Sequence, residues 1–165
     1  MLVVSDATPL NALIRLGHVE ILEALYSQVV IPRAVVGELT HPKAPQEIRD
    51  WINRKPSWLV VRSPASVDAT IASGAGECEA ICLALEIGAD YLLADDKEAP
   101  SVARRLGLRV IGTVGTLELA AASGKLDLRQ ALERLGGIGF FVGEEVLKQA
   151  LARRARRLSN HHDAE

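Results

Sequence analysis

The residues of this chain with the most chemical promise are carboxylates that follow short apolar runs. Asp6 ends Leu2-Val3-Val4-Ser5, and Asp95 and Asp96 end Tyr91-Leu92-Leu93-Ala94. Glu38 lies in the helix-like stretch after Val29-Val30-Ile31, and Glu77 opens a helical stretch reached from Leu59-Val60-Val61. Acids gathered in one place repel one another and raise one another's pKa. A bound divalent cation removes that cost, and hard oxygen ligands select Mg²⁺ or Mn²⁺. Such a site activates a water and neutralises charge on a phosphate, and a second ion about 4 Å away would steady the leaving oxygen. The chemistry implied is hydrolysis of a phosphodiester.

For these acids to meet, the elements carrying them must share an edge. The apolar runs are short and continuous, and they alternate with stretches of helical spacing. That pattern predicts an α/β fold, a three-layer sandwich around a central, mainly parallel sheet of about five strands, with further helices after Lys125. Thr8 and Pro9 read as N-cap and first residue of the opening helix, and Gly17 as its end. Helices are expected over 19–26, from Pro32, over 46–54, 77–87, 98–106, 115–123, 128–135 and 144–158. Residues 66–73 read as a weak helix or a loop. In an open parallel sheet, ligands bind beyond the carboxyl ends of the strands, the edge to which these acids belong. One domain over 1–158 is the economical reading, with 159–165 a disordered tail.

Each acid also has a plainer role. Asp6 can form a turn, Glu38 can be a solvated helix residue, and Glu77 and Glu79 can favour a helix N-terminus through its dipole. Asp95-Asp96 can be a strand-to-helix turn with an N-cap. Only their joint placement on one edge raises the catalytic reading.

The bulk properties are those of an ordinary globular chain. Of 165 residues, 48% are hydrophobic and 24% charged, but only 4% are aromatic, so Leu, Ile, Val and Ala must build the core. A net charge of −2 argues against a general polyanion binder but does not exclude a nuclease, whose acidic pocket lowers the total while basic residues sit elsewhere. Cys78 and Cys82 share a helix face where a disulfide would be strained, and they read as small apolar fillers. The absence of a signal-like N-terminus and of a membrane-length apolar run leads to the expectation of a cytoplasmic protein. Arg104, Arg105 and Arg109 can contact RNA phosphates or form a solvated face, and the run Arg153, Arg154, Arg156, Arg157 can bind RNA or an acidic partner. Trp51, Trp58, Phe140 and Phe141 read as core or interface residues.

These motifs resemble the PIN-like domain family. Val3-Val4-Ser5-Asp6-Ala7-Thr8-Pro9-Leu10 resembles its first motif, and Ile31-Pro32 through Val36-Gly37-Glu38-Leu39 its second. Gly76-Glu77-Cys78-Glu79-Ala80-Ile81 resembles the third, in the form G-E-x-E-A-I, and Leu92-Leu93-Ala94-Asp95-Asp96-Lys97 the fourth. Val110-Ile111-Gly112-Thr113-Val114-Gly115 and Gly139-Phe140-Phe141-Val142 are similar to a nucleic-acid-binding branch of that family. The resemblance implies a Mg²⁺- or Mn²⁺-dependent ribonuclease with Asp6, Glu38, Glu77 and Asp96 as the acidic quartet. Asp95 and Glu79 stand beside them as further metal ligands, and Thr8 and Thr113 as supporting hydroxyls. Many small members resemble the VapC toxins, which implies RNA as substrate, an antitoxin as partner and a homodimer. Two positions depart from the family pattern: Glu77, where Asp is more usual, and Ala94, where Thr is common. They motivate the alternative of a non-catalytic module binding RNA or protein. A phosphatase of another α/β fold would need an Asp where Thr8 stands.

Overall fold

The computed structural model describes residues 1–95 and 98–162, with side chains as far as Arg156. The chain divides into two compact units, Met1–Thr113 and Val114–Glu165.

The first unit is built on five strands: β1 (Leu2–Ser5), β2 (Gln28–Ile31), β3 (Leu59–Val61), β4 (Tyr91–Leu93) and β5 (Val110–Ile111). All pairings are parallel, and the spatial order is β3-β2-β1-β4-β5. Helices lie on both sides of the sheet. Parallel strands covered on both faces must be apolar on both, and Val3 and Val4, which point to opposite faces, are both fully buried. The order has one consequence for function. The chain winds outward from β1 to β2 and β3, then returns to place β4 on the other flank of β1. The crevice beyond the carboxyl ends of β1 and β4 is therefore the point where the winding reverses, the usual ligand position in such sheets.

Helix α1 (Ala7–Leu16) begins directly after β1, with Asp6 as N-cap in extended conformation. This corrects the expectation of Thr8 as N-cap. Asp6 sits where the strand ends and takes the N-cap position by backbone conformation, its side chain accepting no capping hydrogen bond. Pro9 falls inside the first turn, where its missing N–H breaks no helical bond. Gly17 ends α1 at φ 70, a left-handed conformation that favours glycine. Helix α2 (Ile21–Leu25) is shorter than its spacing predicts. Then come α3 (Arg33–Leu39) after Pro32, α4 (Gln46–Asn53), α5 (Ala75–Ile87) and α6 (Glu98–Arg105). Residues 66–73 form no helix; Asp68 there accepts hydrogen bonds from the Thr70 amide at 2.9 Å and hydroxyl at 2.6 Å. Ala80, Ile81 and Ala84 of α5 and Ala99 and Ala103 of α6 belong to one buried cluster with Val4, Val30 and Leu92 of the sheet. Their small side chains let the helices lie close to the sheet. Both cysteines are free, as fillers would be: the Cys78 thiol donates to the Ala72 carbonyl at 3.0 Å, and Cys82 Sγ accepts from the Asp68 amide at 3.4 Å.

The second unit holds most of α7 (Thr113–Ala122), then α8 (Leu128–Gly137) and α9 (Glu144–His162). Asp127 caps α8 by accepting from the Gln130 amide at 3.0 Å. Helix α9 continues past the expected end at 158, so part of the expected tail is helical; residues 163–165 lie outside the described residues. Arg153 is tied within this unit, its guanidinium donating to both Glu118 oxygens at 2.9 and 3.0 Å. Phe141 is 93% exposed, while Trp51 and Trp58 of the first unit pack together with ring centroids 6.0 Å apart. Among the described residues no helix is long and apolar enough to cross a membrane.

Candidate active site

Ser5, Asp6 and Thr113 are the buried polar side chains of the first unit among its described residues. Ser5 is the last residue of β1, Asp6 follows it, and Thr113 lies two residues beyond β5. Asp6 is 4% exposed, and its amide donates to the Leu93 carbonyl at 2.9 Å, which locks the end of β1 to the end of β4. The Ser5 hydroxyl donates to the Asp6 carbonyl at 2.9 Å. Asp6 Oδ1 is buried with no hydrogen-bond partner among the described residues. Burial lifts the Asp6 carboxyl from 3.8 to about 6; the Ala7 amide opposes this, while the charges of Glu38, Glu77 and Asp95 add to the rise. Capping a helix should favour its ionised form, but here desolvation wins.

Asp95 faces the same crevice from β4. Its Oδ1 accepts from the Thr113 amide at 2.7 Å and its Oδ2 from the Thr113 hydroxyl at 2.6 Å. Burial nonetheless raises its pKa against both bonds. Gly112 lies against it: a Cβ there would stand 2.7 Å from Asp95 Oδ1, so any side chain would have to push that oxygen off Thr113.

Two glutamates arrive through helix ends. Glu38, near the end of α3, accepts from the Gly76 amide at 3.1 Å in the first turn of α5. A Cβ on Gly76 would run into the Glu38 carboxylate, with Cδ at 2.9 Å. Glu77 Oε2 accepts from the Gly74 amide at 3.3 Å, folding back over the start of its own helix. Glycines at 74, 76 and 112 thus make room for three of the carboxylates. Sequence reading places Gly76 and Gly112 in motifs but assigns them no such role; for Gly76 the available signal was a glycine directly before an acid at a helix start, and Gly112 carried none.

Other candidates lie elsewhere. Glu79 Oε2 accepts from the Ala34 amide at 3.1 Å, at the start of α3. Thr8 is exposed on the first turn of α1, and Arg104 and Arg105 are exposed on the last turn of α6. Asp96 lies outside the described residues.

A divalent cation fits the chemistry of this crevice. The donors are hard carboxylate oxygens, one of them buried without a hydrogen-bond partner, and their mutual repulsion is what a cation relieves. Among the described residues no group of three or more His, Cys, Asp or Glu side chains is set to hold a metal directly. An ion that keeps several of its waters, as Mg²⁺ does, needs only one or two carboxylates.

Comparison with known proteins agrees with the architecture. A PilT N-terminus domain protein from the hyperthermophilic archaeon Sulfolobus solfataricus P2 superposes with a TM-score of 0.54 at 23% identity, over 77% of this chain and 97% of the other. That likeness concerns the fold. No curated protein matches the chain. The family model DUF3368, described as a PIN domain, matches residues 2–156, nearly the whole sequence, and the chain belongs to that PIN-domain family.

Proposed function

We propose that this protein is a metal-dependent endoribonuclease. PIN domains are generally metal-dependent nucleases that use divalent ions. The single observation that carries the reading here is the buried Asp6 carboxylate, surrounded by the charges of Glu38, Glu77 and Asp95 at the winding reversal of the sheet. A folded chain keeps such an arrangement against its own stability, which is the mark of a working site.

Asp6 would hold the cation, with Glu77, Glu38 and Asp95 completing the acidic surround, and Asp96 adjoining it in sequence. A bound divalent cation supplies a water acidic enough to attack at neutral pH and offsets charge on the phosphate. The chain's own contribution is orientation. Thr113 fixes both oxygens of Asp95, the Gly76 amide fixes Glu38, and the Asp6–Leu93 bond keeps β1 and β4 in register at their ends. In the reaction a water oxygen bonds to phosphorus, an ester P–O bond breaks, and the released oxygen takes up a proton. Arg104 and Arg105 offer phosphate contacts that give affinity without sequence choice. RNA as the substrate, and a toxin role with an antitoxin partner and a homodimer, follow from the family resemblance.

The test is cleavage of RNA and single-stranded DNA by purified protein with Mg²⁺, Mn²⁺ or EDTA. Cleavage of RNA that needs metal and is lost in Asp6→Asn, with the circular dichroism spectrum unchanged, is the expected result. Equal cleavage by Asp6→Asn, or cleavage persisting in EDTA, would remove the proposal. One observation favours a non-catalytic RNA-binding module: the Asp95 carboxylate is already engaged on both oxygens by Thr113. RNA retention without turnover would select that reading.

A further inference from the structure

Helices α3 and α5 both begin at residues without a capping side chain. The N-cap of α3 is Pro32, and that of α5 is Gly74. Each helix start leaves amides that need an acceptor, and each borrows one from the other helix. The Ala34 amide of α3 donates to Glu79 of α5 at 3.1 Å, and the Gly76 amide of α5 donates to Glu38 of α3 at 3.1 Å. Ala34 and Glu38 share one face of α3, and Gly76 and Glu79 share one face of α5, by helical spacing. The pairing of 34 with 79 and 38 with 76 runs the two helices antiparallel along these faces.

We propose that Glu79 is a positioning residue for Glu38. It acts through α3 and does not itself touch a cation. The proposal rests on the reading of Glu38 as part of a cation-binding acidic group. Three observations carry it. The Glu79 carboxylate is occupied at the start of α3. Glu38, Glu77 and Asp95 act on the buried Asp6, and Glu79 is not among the charges that do. Finally, α3 spans only Arg33–Leu39, so anchoring its first turn sets where its last turn delivers Glu38. A helix of this length has little stability of its own. The third-motif pair G-E-x-E then divides its labour: Glu77 folds over the start of its own helix, where its charge still acts on Asp6, and Glu79 holds the helix that brings Glu38.

The experiment uses the intact chain and Mn²⁺ as probe, with affinity followed by electron paramagnetic resonance of free Mn²⁺. Exchange of the Gly76 amide is followed by NMR. Glu79→Ala removes the acceptor and is expected to weaken Mn²⁺ binding about tenfold, the effect of losing an orienting partner, and to speed Gly76 exchange. Glu79→Gln keeps an oxygen facing Ala34 and is expected to restore both to near the native values, whereas Glu38→Gln is expected to weaken binding as a lost ligand charge would. Equal losses in Glu79→Gln and Glu79→Ala would mean that the charge itself is used, and would overturn the proposal. Unchanged Gly76 exchange in Glu79→Ala would overturn it as well. If the native chain takes up no Mn²⁺, the metal-site reading fails and this one with it; native binding with Gln behaving as Ala rejects the positioning role alone.

Discussion

The two ends of the sheet treat their acids in opposite ways. At the amino edge, Asp90 precedes β4 and is half-buried, its side chain 42% exposed. Its Oδ2 accepts from the Leu2 amide at 2.7 Å, and Arg109 approaches its Oδ1 at 3.6 Å while donating to its carbonyl at 3.1 Å. The same guanidinium lies 4.5 Å from the Tyr91 ring centroid. At the carboxyl edge, Asp6 is 4% exposed and forms no ion pair with a described cation; the charges that act on it are carboxylates. An acid buried among other acids without a cation costs stability, so a sequence selected for stability alone would not keep one there. Here Arg109 serves the half-exposed acid, and no described cation pairs with the buried one.

That contrast can be broken most decisively at Asp6. Asp6→Asn is expected to lower metal-dependent RNA cleavage by about 10²-fold or more, the scale of losing a group that stabilises the transition state. Steady-state rates at saturating Mg²⁺ measure it, and a rate within a few-fold of native would dissolve the distinction between the edges.

The next effect is on stability against pH. The Asp6 carboxyl titrates at about 6 in the folded chain and at 3.8 when unfolded. As pH rises from 3.8, the unfolded chain releases this proton first, so the folded state loses ground until about pH 6 and stays level above it. The shift corresponds to about 3 kcal/mol. Urea titrations in EDTA should show metal-free Asp6→Asn more stable than native above pH 6, by an amount up to that size, with the gap closing near pH 4. Added Mg²⁺ should stabilise the native chain and leave the variant almost unmoved. A native chain equally stable at both pH values would sink the argument.

Gly112→Ala sharpens the comparison from another side. The added methyl meets Asp95 Oδ1 and must displace it from Thr113, at a cost of about 1–3 kcal/mol for overpacking and with weaker metal binding. Thermal melts and Mn²⁺ titration would both register it. The smallest effect belongs to the amino edge. Arg109→Ala removes an exposed ion pair worth about 0.2–1 kcal/mol, and cleavage should stay at the native rate. A large loss of activity there would mean that the two edges are coupled after all.

The contrast between edges also marks how far sequence reading reaches. The strands were legible because parallel strands covered on both faces are short continuous apolar runs, and Val3-Val4, Val29-Val30-Ile31 and Leu92-Leu93 have no polar residue to disguise them. Gly17 announced the end of α1, which the structure confirms at positive φ, and Gly88 closes α5 in the same conformation. The start of α1 was misplaced because Thr8-Pro9 imitates a helix opening, whereas Asp6, two residues earlier, occupies the N-cap position without a capping hydrogen bond from its side chain. The division of labour between Glu77 and Glu79 was not legible either. They differ by two positions on a helix, and which way each turns depends on α3 arriving with a bare amide at Ala34.

What the sequence by itself determined is local: which runs become strands, where helices stop, and that acids follow several strands. Those outcomes depend on hydrophobic periodicity and backbone conformation, which neighbouring residues set. Only the tertiary structure decided that β4 returns to the flank of β1. That return brings Asp6 within reach of the charge on Asp95 and sets Gly112 against the Asp95 carboxylate, while the meeting of α3 with α5 sets Gly76 against Glu38. Burial and the repulsion of like charges act through space, so residues far apart in the chain acquired them only when the sheet closed its order.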